Sequence, residues 1–471
     1  MAKRNAIVSE PVAGGKFNRP FASYFGDISK IGYVEEEFFI EGEAVRYTHQ
    51  DPLTKDGNWS LIEAGSAAYK TRILVRRPVL AEKFNGAVVV EWTNVSAGYE
   101  LNCVPDELYE SGFAYVAVSA QPIGLTGFER TKAGLLDWDA QRYAGLNIPD
   151  EGLCFDIFTQ GARAVGPRRE IKEIDPMGGL EVRHLIGFGE SQSGTRILAY
   201  ANGVQPLENE FSALMPMLNA GSSADFDAEI AHPDFNEPSA ARKSHSRTVI
   251  SKVRQDTKIP ILALNTETEA LYYTLAAKQD DSDNFRSWIV TGASHAAFEQ
   301  MAMMHRISDR DGVSDSMHKY SPYQSSKVEW LPTFGAALNH VLNWVQTGEA
   351  PPIAQPMEID FEARQSKKDE HGNSLGGIRL PEVEVPIARY VAGVGYPLSG
   401  FTVPFNEEKL KALYPSHDVY TAGIAAAAKK AWEQGFITES KYEKYIEAAK
   451  AAPIPEMPPL PEQRLPSMLK K

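Results

Sequence analysis

Ser191 stands at the centre of RHLIGFGESQSGTRILAYANG (183–203), and further along the chain come two carboxylates, Glu267 and Glu269, in IPILALNTETEALYY, and then His295 in FRSWIVTGASHAAFEQ. A serine hydroxyl is a poor nucleophile at neutral pH. It needs a neighbouring base to take its proton and a pair of N–H donors for the oxyanion that develops on the attacked carbonyl. Serine, acid and histidine in that chain order suit acyl transfer on a strand–turn–helix nucleophile elbow.

The local pattern around Ser191 supports such an elbow. His184 to Phe188 is apolar enough for a buried strand, and Thr195 to Tyr200 has helix-like spacing, so the chain turns sharply between them. Strand and helix pass closely at such a turn and demand small residues. Gly189 meets that demand two places before Ser191, but Ser193 stands two places after it, with Gly194 one place later. The strict G-x-S-x-G spacing is therefore not met. A plain strand–helix connection, with Ser191 or Ser193 as a helix cap, is the competing reading.

Each partner is expected just beyond a later strand. Glu269 is the chosen acid because it stands further past the strand end than its competitor Glu267. His295 is the base; the alternative is a loop histidine preceded by Ser294 as the cap of the next helix. The backbone N–H of Gln192 is expected to form one half of the oxyanion hole. The other half is assigned to the loop EWTNVSAGYE, to Asn94 with Val95 close behind.

The elements that must position these residues follow from hydrophobic runs. EEEFFIEGEAVRY, TRILVRRPVL, GAVVVEW and FAYVAVSA read as strands, and the nearly continuous runs among them suit an interior parallel sheet. VPDELYESG, DEGLCFDIFTQGARAV and QSGTRILAYANG read as helices, alternating with the strands RHLIGFG, FSALMPML, IPILALNTE and FRSWIVTGAS. This alternation predicts a doubly wound, mostly parallel α/β sheet. Residues 1–351 are expected to form the catalytic domain, with lid or cap inserts at about 122–150 and 222–258. Residues 352–471 are expected to form an extension packed on it, with two helices within SHDVYTAGIAAAAKKAWEQG and TESKYEKYIEAAKAA.

Composition excludes several classes. The 471 residues are 43% hydrophobic and 23% charged, ordinary for a folded chain. Acidic residues outnumber basic ones, 62 to 48, for a formal charge of −14, which disfavours nucleic acid. Cys103 and Cys154 form no redox or metal pair, so no disulfide framework is expected. Neither a signal-peptide run nor a membrane-spanning run is found, and the expected location is the cytoplasm. Carboxylates around His232 in HPDFNEP lack any known metal-ligand spacing, so no metal or other cofactor is expected.

Together, EWTNVSAG, AYVAVSAQPIG, FDIFTQ, GESQSG, NTETEA, GASHA, GGIRLPEVEVP and GFTVPFN resemble the large alpha/beta-hydrolase-domain family whose members carry a G-E-S-Q-S elbow. The resemblance runs from about Gly32 to Ala452. It implies an α/β-hydrolase fold, a serine nucleophile at Ser191 with Glu269 and His295 completing the triad, and a serine at the place of Ser193 as normal. The expected activity is hydrolysis of a small-molecule carboxylic ester. An acyltransferase, lactonase or amidase would use the same residues, and a binding protein on the same fold is the non-catalytic alternative. Trp138, Tyr143, Tyr390, Tyr396, Phe401 and Phe405 are candidate pocket walls, with Arg379 a candidate partner for a substrate carboxylate.

Overall fold

The computed structural model describes residues 4–102, 104–129, 132–171, 173–219, 221–226, 248–272, 277–313, 325–393 and 398–456. Its centre is a nine-stranded sheet: β1 (Ile7–Val8), β2 (Tyr33–His49), β3 (Leu61–Pro78), β4 (Ala87–Trp92), β5 (Ala114–Val118), β6 (His184–Glu190), β7 (Ala213–Met217), β10 (Ile261–Thr266) and β11 (Phe285–Val290). Strand order is β1-β2-β3-β5-β4-β6-β7-β10-β11. The small strands β8 (Ser222–Ala224) and β9 (Thr248–Ile250) pair antiparallel as a separate two-stranded sheet.

From β5 to β11 all pairings are parallel. The sheet is mostly parallel as expected, and the exception is its first edge, where β1, β2, β3 and β5 pair antiparallel in succession. The reason lies in length and connection. β2 and β3 run 17 and 18 residues and are joined by a short connection, which permits only a hairpin.

Burial on both faces explains the unbroken apolar run of β4, where every position is buried. Val88 and Val90 point into one core, which the helix Cys154–Val165 covers with Phe155, Ile157 and Phe158. Ala87 and Val89 point into the other, covered by Phe334, Leu338 and Val341 of the helix Leu331–Thr347. Each fully buried valine contributes roughly 1.5–3 kcal/mol relative to exposure.

The C-terminal helices share this second core. His417–Glu433 and Glu439–Ala451 begin where expected, with Ser416 and Thr438 accepting hydrogen bonds from the backbone N–H groups of Val419 and Lys441. Their buried residues, among them Tyr420, Ile424, Ala428, Tyr445 and Ala449, pack with Leu338 and Val341. Of the expected insert at 122–150, the described part folds as short helices with Leu125, Leu135, Trp138 and Tyr143 buried. No described helix is long and apolar enough to cross a membrane.

Candidate active site

The turn after β6 has the backbone of a sharp elbow. Ser191 adopts φ 58° and ψ −114°, a region that costs a non-glycine residue about 1–3 kcal/mol. Its N–H donates to the Met217 carbonyl at 3.0 Å, so the strain is imposed by pairing with the end of β7. The helix Gln192–Ala199 follows at once and continues as a π turn, Tyr200–Val204. Ser191 occupies the N-cap place but makes no capping bond with its side chain.

Two glycines are required there by close approach. A Cβ on Gly189 would lie 2.8 Å from the Ser193 carbonyl, and one on Gly194 would lie 2.2 Å from the Met217 carbonyl oxygen. Gly194 thus does the packing that the usual spacing gives to the residue before it. Ser193 serves the turn differently. Its Oγ lies 2.9 Å from both the N–H and the carbonyl oxygen of Glu190, stapling the turn from inside.

At the ends of β10 and β11 the chain brings two further residues to this elbow. His295 Nε2 lies 2.9 Å from Ser191 Oγ, and His295 Nδ1 lies 2.7 Å from Glu269 Oε1. Glu269 is almost wholly buried, which by itself favours the neutral acid. The imidazole of His295 and two donors from Thr266 outweigh burial and hold the carboxyl below its usual range. Those donors, the N–H at 2.8 Å and Oγ1 at 2.6 Å, both end on Oε2. Both glutamates stand just beyond β10, and both open the short helix Glu267–Tyr272.

Glu267 turns elsewhere. Its Oε2 accepts from the Gly292 N–H at 2.8 Å, and its Oε1 from Ser366 Oγ at 2.9 Å and Ser374 Oγ at 2.6 Å. Ser294 does not cap the next helix, Phe298–Asp311, whose N-cap is Ala297.

The structure uses the Asn94 side chain to brace the elbow: Nδ2 donates to the Glu190 carbonyl at 2.9 Å, and Oδ1 accepts from the Ser96 N–H at 2.8 Å. Behind Gln192, its Nε2 donates to Gln121 Oε1 at 3.1 Å, which also accepts from Trp92 Nε1 at 2.9 Å. Glu151 joins this group through Gln121 Nε2 at 2.6 Å and Arg196 Nη2 at 2.7 Å. The helix carrying Gln192 is therefore anchored on its inner side.

Sequence reasoning missed a pair of buried acids beside the elbow. Burial, and then the nearby Glu91, push the Glu190 carboxyl well above the usual range, against a 3.1 Å hydrogen bond from Gln300 Nε2. Burial likewise raises Glu91 to about 8, despite the Tyr115 hydroxyl that donates to it and the Arg76 charge. The signal was present: Glu91 interrupts an otherwise apolar strand.

Other expectations are corrected. The Arg379 guanidinium, a candidate partner for a substrate carboxylate, pairs with Asp369 at 2.8 Å and donates to the carbonyls of Ser374 and Val383. Trp138 and Tyr143 fill the core around Phe21 rather than a pocket wall, and Tyr390 is buried. His232, Cys103 and Tyr396 lie outside the described residues. Among the described residues no group of three or more His, Cys, Asp or Glu is placed to hold a metal ion.

The family profile described as alpha/beta hydrolase domain matches residues 8–447. The chain belongs to this family. The α/β-hydrolase fold is accordingly its fold, with the elbow at the end of β6. Solved structures similar to this hydrolase-family chain include the rice cell wall degrading esterase LipA from Xanthomonas oryzae, at 12% identity and TM-score 0.30, covering 66% of this chain and 99% of that one. They also include an acetyl xylan esterase from Paenibacillus sp. R4, at 14% and 0.27, covering 57% and 88%. Est1E from Butyrivibrio proteoclasticus matches at 13% and 0.26, covering 57% and 97%. Likenesses at these scores carry no weight for the activity of this alpha/beta hydrolase-family protein. No curated protein matches it in sequence.

Proposed function

We propose that the protein is a serine hydrolase that cleaves small carboxylic esters through an acyl-enzyme. The observation that carries this reading is the imidazole of His295, within hydrogen-bond reach of both a strained, part-exposed Ser191 and a buried Glu269. Geometry of this kind lets His295 Nε2 take the proton as Ser191 Oγ attacks the ester carbonyl. Glu269 keeps Nδ1 protonated and offsets the positive charge that appears on the ring.

The tetrahedral intermediate places its oxyanion against backbone N–H groups, that of Gln192 at the start of its helix and one from the loop at Asn94. Its collapse expels the alcohol, which receives the proton from His295. Water then repeats the sequence on the acyl-enzyme and releases the acid. Residues 1–351 hold this machinery, and of the following chain the described residues 352–393 and 398–456 form an extension packed on it.

A panel of short activated esters, run with wild type and Ser191→Ala, tests the proposal. Burst kinetics with wild type and loss of turnover in the folded variant support it. Turnover that survives in Ser191→Ala defeats it.

A further inference from the structure

Glu267, Thr268 and Glu269 are consecutive, and each accepts a hydrogen bond from the segment that ends in His295. Glu267 Oε2 takes the Gly292 N–H at 2.8 Å, Thr268 Oγ1 the His295 N–H at 3.2 Å, and Glu269 Oε1 the His295 ring at 2.7 Å. The histidine loop is held at Gly292 and at His295 by one short stretch beyond β10.

The opposite side of the same loop is tied to the chain after residue 365. Thr291 donates its N–H to the Ile378 carbonyl at 2.9 Å and its hydroxyl to the Gly376 carbonyl at 2.6 Å. The Ala296 N–H reaches the Leu398 carbonyl at 3.2 Å. Gly292 itself has φ 79°, so the loop bends there through a conformation with little steric restraint of its own.

Glu267 joins both sides through one side chain. While Oε2 holds Gly292, Oε1 accepts from Ser366, from Ser374 and, at 3.4 Å, from Lys368 Nζ. Its relative exposure is 1%. A carboxylate that deeply buried is costly unless paired and fully hydrogen-bonded, and here these partners come from the histidine loop and the C-terminal segment.

We propose that Glu267 is a positioning residue for His295, and that residues 366–378 serve turnover by clamping the histidine loop through it. The proposal rests on the reading of Ser191, His295 and Glu269 as the reacting group. Its chemistry is geometric. The distance from Nε2 to the serine oxygen is set by a loop whose bend is fixed from outside, and small misplacements of a base are expensive.

The test uses the full chain with Glu267→Gln and, separately, Ser366→Ala/Ser374→Ala. Glutamine keeps an oxygen for Gly292 but turns an amide NH2 towards Lys368, which cannot accept. Sites are counted by burst amplitude, so that kcat is expressed per competent serine. The expected result is a fall in kcat of about 10- to 100-fold for Glu267→Gln and a smaller fall for the double variant, as for other residues that orient a reacting group. KM should stay within about twofold.

Wild-type kcat per titrated site in folded Glu267→Gln overturns the proposal. If that variant does not fold, the double variant decides by the same criterion. Loss of active sites without change in kcat per site also overturns it, since it marks a purely structural role. Survival of activity in Ser191→Ala is a separate failure and removes the triad reading itself.

Discussion

Glu269→Gln is expected to stop catalysis for a reason visible in the second carboxylate oxygen. Oε2 of Glu269 accepts from the Thr266 N–H at 2.8 Å and from Thr266 Oγ1 at 2.6 Å. In the variant the amide oxygen must take that place, because a backbone N–H cannot accept from an NH2. The NH2 then stands 2.7 Å from His295 Nδ1 and donates to it. The neutral imidazole is forced to carry its proton on Nε2, pointing at Ser191 Oγ, where a lone pair is needed. Wrong tautomer and lost negative charge together should lower kcat by about 10³- to 10⁴-fold, which is roughly 4–5.5 kcal/mol of transition-state stabilisation. The assay is kcat on an activated short-chain ester, with the folded state checked by near-UV circular dichroism. Nitrogen-15 NMR of His295 reads the tautomer directly: Nδ1–H in wild type and Nε2–H in the variant. A variant that retains activity within about tenfold, or whose ring keeps its proton on Nδ1, refutes the reasoning.

Three other outcomes follow from the same geometry. Ser191→Gly should abolish turnover yet raise stability by about 1–2 kcal/mol, because glycine accepts φ 58° without strain, and a lower denaturation midpoint would contradict this. Gly194→Ala should destabilise by about 2–3 kcal/mol and misplace the elbow, since its Cβ meets the Met217 carbonyl at 2.2 Å; Ser193→Ala should cost only about 1 kcal/mol for its lost hydroxyl bonds, so equal denaturation midpoints would count against the packing role of Gly194. For Glu91, a folded pKa raised to about 8 against 4.5 means that the folded protein holds a proton the unfolded chain has released across that window, so stability falls as pH rises through it. Glu91→Gln removes that loss, and its urea midpoint should gain on wild type between pH 5 and pH 8; a constant difference would show that Glu91 is already ionised in the fold.

Much of the architecture was legible because β4, β6, β7 and β10 are buried on both faces, which writes them as short apolar runs between helical patterns. Strand direction was not: nothing local in EEEFFIEGEAVRY or TRILVRRPVL distinguishes an antiparallel hairpin from parallel neighbours. Chain order pointed to the side chains that meet at the elbow, since serine, acid and histidine each follow a strand in the sheet. Sequence favoured Glu269 over Glu267 only by its distance past the strand end; both open one helix, and it is their tertiary partners, His295 for Glu269 and Gly292 with Ser366 and Ser374 for Glu267, that tell them apart. The G-x-S-x-G mismatch had a physical answer that composition could not provide. Gly194 meets β7, and Ser193 turns inward to its own turn. Arg379 showed the opposite error, where a plausible ligand group proved to be spent on Asp369.

The most direct measurement is peptide mapping by mass spectrometry after reaction of the native protein with a fluorophosphonate. One adduct is expected, on the Oγ of Ser191, formed at a rate that collapses in His295→Ala. An unmodified Ser191 in folded protein, or an adduct elsewhere that tracks the loss of ester turnover, would contradict it.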